Sequence, residues 1–243
     1  MNQPPVSVVL PAKNEAARLA GAVEQLSPWL DLLGAELVIA VDVGSTDNTA
    51  EIAVELASKD ERLRTLTSDF SGKGAAVKAG VEHARGVVVV TADTDLAVDP
   101  SNFGALVDRA RDGVVAMASR SVAGSQRVGE PLSRFIAGRG FNFVVRALVL
   151  PTIRDSQCGF KAFGREVGLE LLSRTRSMGW AFDVEFLAHA RKAGLELVEV
   201  PVTWQYGHGS AVRMLRDAPS VVRELWGIRR RVGRVGRSGR KAP

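Results

Sequence analysis

The sequence predicts one α/β domain with a mainly parallel central sheet flanked by helices. Three observations carry this: five short β-branched runs, apolar positions at helical spacing between them, and a polar segment directly after each run. The runs are VSVVL (6–10), ELVIAV (36–41), LRTLT (63–67), VVVVT (87–91) and VVAMA (114–118). Strand and helix in alternation give βαβ units and hence parallel neighbours.

After the first run, Asn14 is placed to cap a helix that carries Leu19, Val23, Leu26, Leu30 and Leu33 on one face. Ile52 and Leu56 mark the second helix, and Val77 and Val81 the third. From Ser133 the pattern changes to a longer helical stretch (133–150), a loop RDSQCGFKAF (154–163), a helix around Asp183 to Lys192 and a strand LELVEVPVT (195–203). The segment Pro219 to Arg231 sets Val222, Leu225, Trp226 and Ile228 on one side and arginines on the other. This reads as one domain over 1–226 and a basic tail over 227–243.

At 243 residues and 46% hydrophobic, the chain can bury a sizeable core. The single cysteine, Cys158, excludes an internal disulfide framework and a Cys-rich zinc site, and no two histidines have metal-ligand spacing. The opening MNQPPVSVVLPAKNE has no charged region leading into an apolar one, so a cytoplasmic setting is expected. Net charge is +5, but Val221 to Pro243 contributes +7, leaving −2 on the rest. Such a tail suits an anionic surface, either membrane lipid head groups or nucleic acid, with a disordered solubilising tail as the plain alternative. The body lacks aromatic-basic interleaving, so no nucleic-acid partner is expected. The longest apolar runs fall short of the ~20 residues that span a bilayer, so membrane contact would be peripheral.

In open parallel sheets, ligands sit beyond the carboxyl ends of the strands. The segments there are PAKNE, DVGSTD, SDFSGKG, ADTD and SRS. Asp93 and Asp95, spaced i, i+2 after the most hydrophobic run, can hold Mg²⁺ or Mn²⁺ through oxygen; a solvated acidic turn is the plain alternative. Asp42 ends the second run before Gly44-Ser45-Thr46, where a carboxylate can accept from a base N–H; Asp47 reads as a first-turn dipole partner. Ser71-Gly72-Lys73-Gly74 opens a helix in a way that suits anion binding, without the spacing of a P-loop; a tight turn with a surface lysine is the plain alternative.

Taken together, LPAKNE, DxGSTDxT, SGKGAAV, the DxD, SRS, RDSQCGFKAF and WAFDVEF stand in the order seen in inverting family-2 glycosyltransferases of the GT-A fold, which this chain resembles over about Val6 to Trp226. The later motifs are most similar to the dolichyl-phosphate glucosyltransferases, with the mannose synthases as relatives. The resemblance implies a nucleotide-sugar-binding half (1–120) and an acceptor-side half (121–226). It implies that Pro11, Ala12, Asn14 and Glu15 line a nucleotide pocket, Asp42 contacts the base, Lys73 approaches the donor, and Asp93 with Asp95 hold the metal on the diphosphate. It also implies that Arg120 and Arg134 face an acceptor phosphate. Val43 replaces the second acid of the usual DDGS, and Ala97 and Gly138 replace polar residues of the mannose synthases.

The expected reaction is therefore hexose transfer from a UDP-glucose or GDP-mannose type donor to a polyprenyl phosphate. A phosphate monoester, with second pKa ~6, is already largely dianionic and needs no general base. Arg120, Arg134 and Arg139 are the candidate clamp on it. A saccharide hydroxyl would need a base, for which Asp183 is the candidate, with helix capping as its plain alternative. A non-catalytic nucleotide-sugar-binding module is the third reading.

Overall fold

The computed structural model describes residues 4–110, 113–207 and 218–233. In chain order the elements are β1 (Val6–Ala12), α1 (Leu19–Leu33), β2 (Ala35–Val41), α2 (Thr49–Lys59), β3 (Leu63–Thr67), α3 (Lys73–His83), β4 (Val88–Thr91), α4 (Phe103–Ala110) and β5 (Val115–Ser119). Then follow β6 (Gln126–Val128), α5 (Leu132–Leu148), β7 (Lys161–Gly164), α6 (Arg165–Arg174), α7 (Phe182–Lys192), β8 (Leu197–Pro201), β9 (Thr203–Gln205) and α8 (Ala218–Val232). The first five strands fall on the five predicted runs to within two residues at each end.

Seven strands form one sheet in the order β3-β2-β1-β4-β7-β5-β8, parallel except for β7, which runs antiparallel to both neighbours. Alternate residues of β1 serve the two faces. Val6, Val8 and Leu10 join a core with α1 and α4, while Val9 joins one with α3, α6, α7 and α8. On α1, Leu19, Leu26 and Leu30 are buried at helical spacing, each worth about 1.5–3 kcal/mol relative to exposure.

Four expectations are corrected. Asn14 does not cap α1: the helix starts at Leu19 with Arg18 at the cap position, and Asn14 bonds another loop instead. The loop expected to run through 163 ends earlier, because Lys161–Gly164 pair with β4 and β5; four residues are too few to show a strand period. The strand expected over 195–203 breaks at buried Val202, and β9 pairs with β6 in a separate two-stranded sheet. The tail boundary after Trp226 falls inside α8, whose Leu225, Ile228 and Val232 are buried while Val222 and Trp226 stand out. The helix is held by Arg231, whose Nε and Nη2 donate to buried Glu185 at 2.9 and 3.1 Å. The tail residues Arg234, Arg237, Arg240 and Lys241 lie outside the described residues.

Candidate active site

The chain runs outward through β1, β2 and β3, then returns to place β4 on the other side of β1. This reversal opens a crevice at the carboxyl ends of β1 and β4, the usual ligand position of an open sheet.

The loops there are tied to one another. Asn14, at φ 54, takes the left-handed conformation that asparagine tolerates, and its Oδ1 accepts from the Thr46 N–H at 2.8 Å. The Glu15 N–H donates to Thr49 Oγ1 at 2.8 Å, and the Glu15 carboxylate accepts from Arg18; burial raises its pKa above the ordinary range. The Pro11 carbonyl accepts from Thr94 Oγ1 at 2.9 Å, and the Ala12 carbonyl accepts from the Asp42 N–H at 2.8 Å. Asp47 has a structural role other than the first-turn one expected: it precedes α2 and accepts from the N–H groups of Ala16 and Thr49.

Asp42 is buried, and its two oxygens accept from the N–H groups of Gly44 (2.7 Å) and Gly72 (2.6 Å). Burial alone would raise this carboxyl, but these two bonds outweigh it and hold the pKa low. Asp42 thus braces the loop after β2 against the start of α3. Gly72 is required at that junction: its φ is 129°, and a Cβ there would lie 2.3 Å from the Met178 carbonyl oxygen.

A cavity of about 290 Å³ opens beside these loops. Lys73, Asp93, Asp95, Arg120, Arg134 and Asp183 all line it, so the structure gathers these six candidates from distant sequence positions. Pro11 and Ala12, at the end of β1, and Asn14, Glu15 and Asp42, in the laced loops, are not in the cavity wall.

Lys73 Nζ lies 2.8 Å from Asp93 Oδ1 and 3.7 Å from Asp183 Oδ2. Enclosure pushes the Asp93 pKa up, but the Lys73 ammonium, helped by Lys161 and Arg120, brings it below the usual range. Asp95 goes the other way, raised by enclosure and then by the neighbouring Asp93 charge. Asp93 lies so close to Gly159 that a Cβ there would be 1.9 Å from its Oδ2. Gly159 is therefore a site residue that the sequence reading passed over, inside a motif it had marked.

Elsewhere in the lining, Arg120 makes a two-bond contact with Asp155, which is fully buried. Arg127 extends this wall, donating to Glu130, to Ser121 Oγ and to the Arg120 carbonyl. The Arg134 guanidinium lies 5.2 Å from the Tyr206 ring centroid. Arg139 is corrected as a clamp candidate. It is exposed on the outer side of α5, whereas Gly138, Phe141 and Asn142 of that helix line the cavity. Asp183 is not a helix cap: it lies within α7, whose cap position is Ala181, and it pairs with Lys161. His83 is exposed and His189 sits at the core edge; His208 lies outside the described residues.

Among the described residues, no group of three or more His, Cys, Asp or Glu side chains is arranged to hold a metal ion. Asp93 and Asp95 offer two carboxylates, which is the protein share of a Mg²⁺ or Mn²⁺ shell completed by phosphate oxygens and water. Burial raises the Asp95 carboxyl and the Asp93 charge beside it adds to the rise, so a bound cation would favour its ionised form. The pair fits such an ion.

The fold is that of the GT-A glycosyltransferases. Glucosyl-3-phosphoglycerate synthase from Mycobacterium tuberculosis, solved with Mn²⁺, UDP and phosphoglyceric acid, shares the fold at TM-score 0.68 and 22% identity, over 94% of this chain and 78% of that one. The chain belongs to glycosyl transferase family 2, whose model matches residues 7–171. It is 38% identical over 231 residues to glycosyltransferase AglD of Haloferax volcanii, which covers 91% of this chain and 37% of that protein. It is 33% identical over 211 residues to dolichyl-phosphate beta-glucosyltransferase ALG5C of Trichomonas vaginalis, covering 81% of this chain and 62% of that protein. The Saccharomyces cerevisiae dolichyl-phosphate beta-glucosyltransferase is 30% identical, covering 92% and 74%. The chain thus spans well under the full length of the first two relatives.

Proposed function

We propose that this chain transfers a hexose, with inversion, from a nucleotide diphosphate sugar of the UDP-glucose or GDP-mannose type to a polyprenyl phosphate. The observation that carries the reading is one cavity lined both by the acidic pair Asp93 and Asp95 and by three arginines, Arg120, Arg127 and Arg134. The dolichyl-phosphate beta-glucosyltransferases among the relatives, and the UDP and Mn²⁺ in the fold neighbour, support it.

In this reading Asp93 and Asp95 would hold Mg²⁺ or Mn²⁺, which would supply charge stabilisation for a departing diphosphate. Pro11, Ala12, Asn14 and Glu15 shape the nucleotide side, and Asp42 holds that shape. Lys73 supplies a cation beside the donor. Arg134, with the remaining donor capacity of Arg120 and Arg127, orients the acceptor phosphate for in-line attack. The acceptor is already an anion, so no side chain has to take its proton. That agrees with Asp183, one of whose oxygens accepts from Lys161 at 2.6 Å while the other faces Lys73.

The placement of α5 supports an acceptor delivered from a bilayer. Leu132–Leu148 contains no acid; Leu132, Ile136 and Phe143 are 72%, 61% and 71% exposed, with Arg139 and Arg146 exposed on the same stripe. Val222 and Trp226 stand out from neighbouring α8. Apolar side chains set among arginines match an anionic lipid surface, and the opposite side of α5 lines the cavity. Among the described residues no helix is long and apolar enough to cross a membrane. A peripheral seat at the inner face, aided by the basic tail, follows as part of this proposal.

The test is a panel of nucleotide sugars incubated with membrane extract and Mn²⁺ or Mg²⁺, read as sugar-lipid. Formation of a sugar-lipid from one donor supports the reading. Transfer only to a saccharide hydroxyl would return Asp183 to the role of base, and nucleotide-sugar binding without any transfer would leave a binding module.

A further inference from the structure

Behind the cavity wall, bonded to its lining residues Cys158 and Asp183, lies a buried cation that the proposed chemistry does not use. Lys161 is 2% exposed and lies in β7, opposite Thr91 of β4 and Met117 of β5. Its ammonium donates to the Cys158 carbonyl and to Asp183 Oδ1, the latter at 2.6 Å. The second oxygen of Asp183 faces Lys73 Nζ at 3.7 Å, and Lys73 reaches Asp93 Oδ1 at 2.8 Å. Lys161, Asp183, Lys73 and Asp93 thus form a row of alternating charge, contributed by β7, α7, α3 and the loop after β4.

A buried ion pair is a weak source of stability, because desolvation of both charges offsets their attraction, and an apolar pair of similar volume often does as well. The row therefore calls for a reason other than packing. Lys73 Nζ sits against the Asp93 carboxylate that the proposed reading gives to a divalent cation, and two cations repel at that spacing. Asp183 is the nearest alternative partner for Lys73, and Lys161 fixes which way that carboxylate points.

We propose that Lys161 is a positioning residue: through Asp183 it maintains a second carboxylate to which Lys73 passes when a cation-bound diphosphate takes Asp93. The inference rests on the donor site proposed above. Without the receiving carboxylate, Lys73 has only Asp93 and competes with the cation for it.

The experiment measures UDP and GDP binding to the full chain by calorimetry across a Mn²⁺ titration, alongside thermal melting. Lys161→Met alone should lower Tm, since it strands Asp183 in the core. Combining it with Asp183→Asn should restore most of the Tm, because both charges are then gone. The Mn²⁺ concentration for half-maximal nucleotide binding should nevertheless stay raised about 10- to 100-fold, the range seen when groups that orient metal ligands are removed. Asp183→Asn alone, which retains an oxygen for Lys161, should show the same rise and carries the test if the double variant does not fold. A Mn²⁺ requirement unchanged from wild type in these variants would reduce Lys161 and Asp183 to a packing pair and overturn the inference while the donor site stands. Failure of the wild type to bind either nucleotide with Mn²⁺ would overturn both.

Discussion

Arg120 and Asp155 close on each other inside the cavity wall, Nε to Oδ2 at 2.7 Å and Nη2 to Oδ1 at 2.8 Å, with the Arg120 backbone N–H adding a third bond to Oδ2 at 2.9 Å. Burial would raise the carboxyl, but the guanidinium holds it below the usual range. The two-pronged face of Arg120 is therefore committed to the protein, and it meets an acceptor only with what remains. Asp155→Ala should cost about 3–5 kcal/mol in urea unfolding, because it leaves a buried guanidinium without its partner. A loss under about 1 kcal/mol would show that the pair is dispensable to the fold.

Arg134 gives the cleaner test of the acceptor clamp, since Arg120→Ala would also strand Asp155. Removing one charge-assisted contact, worth roughly 1.5–3 kcal/mol, should slow transfer from a saturating donor to lipid phosphate about 10- to 100-fold in Arg134→Ala. UDP or GDP affinity should change little. An equal loss of nucleotide affinity would move Arg134 to the donor side.

Asp95→Ala should remove cation-dependent turnover, because the departing diphosphate loses several kcal/mol of stabilisation, about a hundredfold or more in rate. The check is turnover against added Mn²⁺ in chelator-treated protein. Full wild-type activity without added cation would contradict the assignment of Asp93 and Asp95.

The outer stripe of α5 predicts vesicle binding. Ile136→Asp with Phe143→Asp should weaken binding to anionic vesicles at least about tenfold, since each apolar side chain is worth about 1.5–3 kcal/mol on burial. Both are exposed, so Tm should stay near wild type. Removing residues from Arg234 onward tests the tail separately; a cut at Arg229 would remove Arg231 and Val232 from the folded helix. Unchanged vesicle binding in both variants would leave the membrane seat unsupported.

Acid sensitivity follows from Glu36, Asp155 and Glu185. In each, burial raises the pKa but is outweighed by hydrogen bonds and arginine charge, so the folded value lies below the ordinary one. The unfolded chain then binds more protons, and stability rises with pH through this window. Their contribution is complete above the unfolded values of 4.5 for the glutamates and 3.8 for aspartate, and is lost as pH falls through the folded values. Urea midpoints should therefore be flat near neutrality and drop below about pH 4.5. In Arg231→Ala, Glu185 loses its main partner, and the acid limb should become shallower.

The first five strands, the polar segments after them, the DxD pair and the family were legible because each rests on local spacing along the chain. Lys161 and Asp155 lay in plain view within RDSQCGFKAF and still carried no role, since a buried charge is defined by its partner, and Asp183 and Arg120 stand 22 and 35 positions away. The same holds for Arg139 and Arg134, five residues apart on one helix but with only Arg134 in the cavity wall. By itself the sequence determined a mainly parallel α/β sheet and the acidic pair just past the end of its fourth strand, because periodicity and strand ends are local properties. Only the tertiary structure decided which arginine is already bound, which lysine sits on Asp93 and which side of α5 faces out, because charge pairing and burial depend on neighbours that the chain brings together from distant positions.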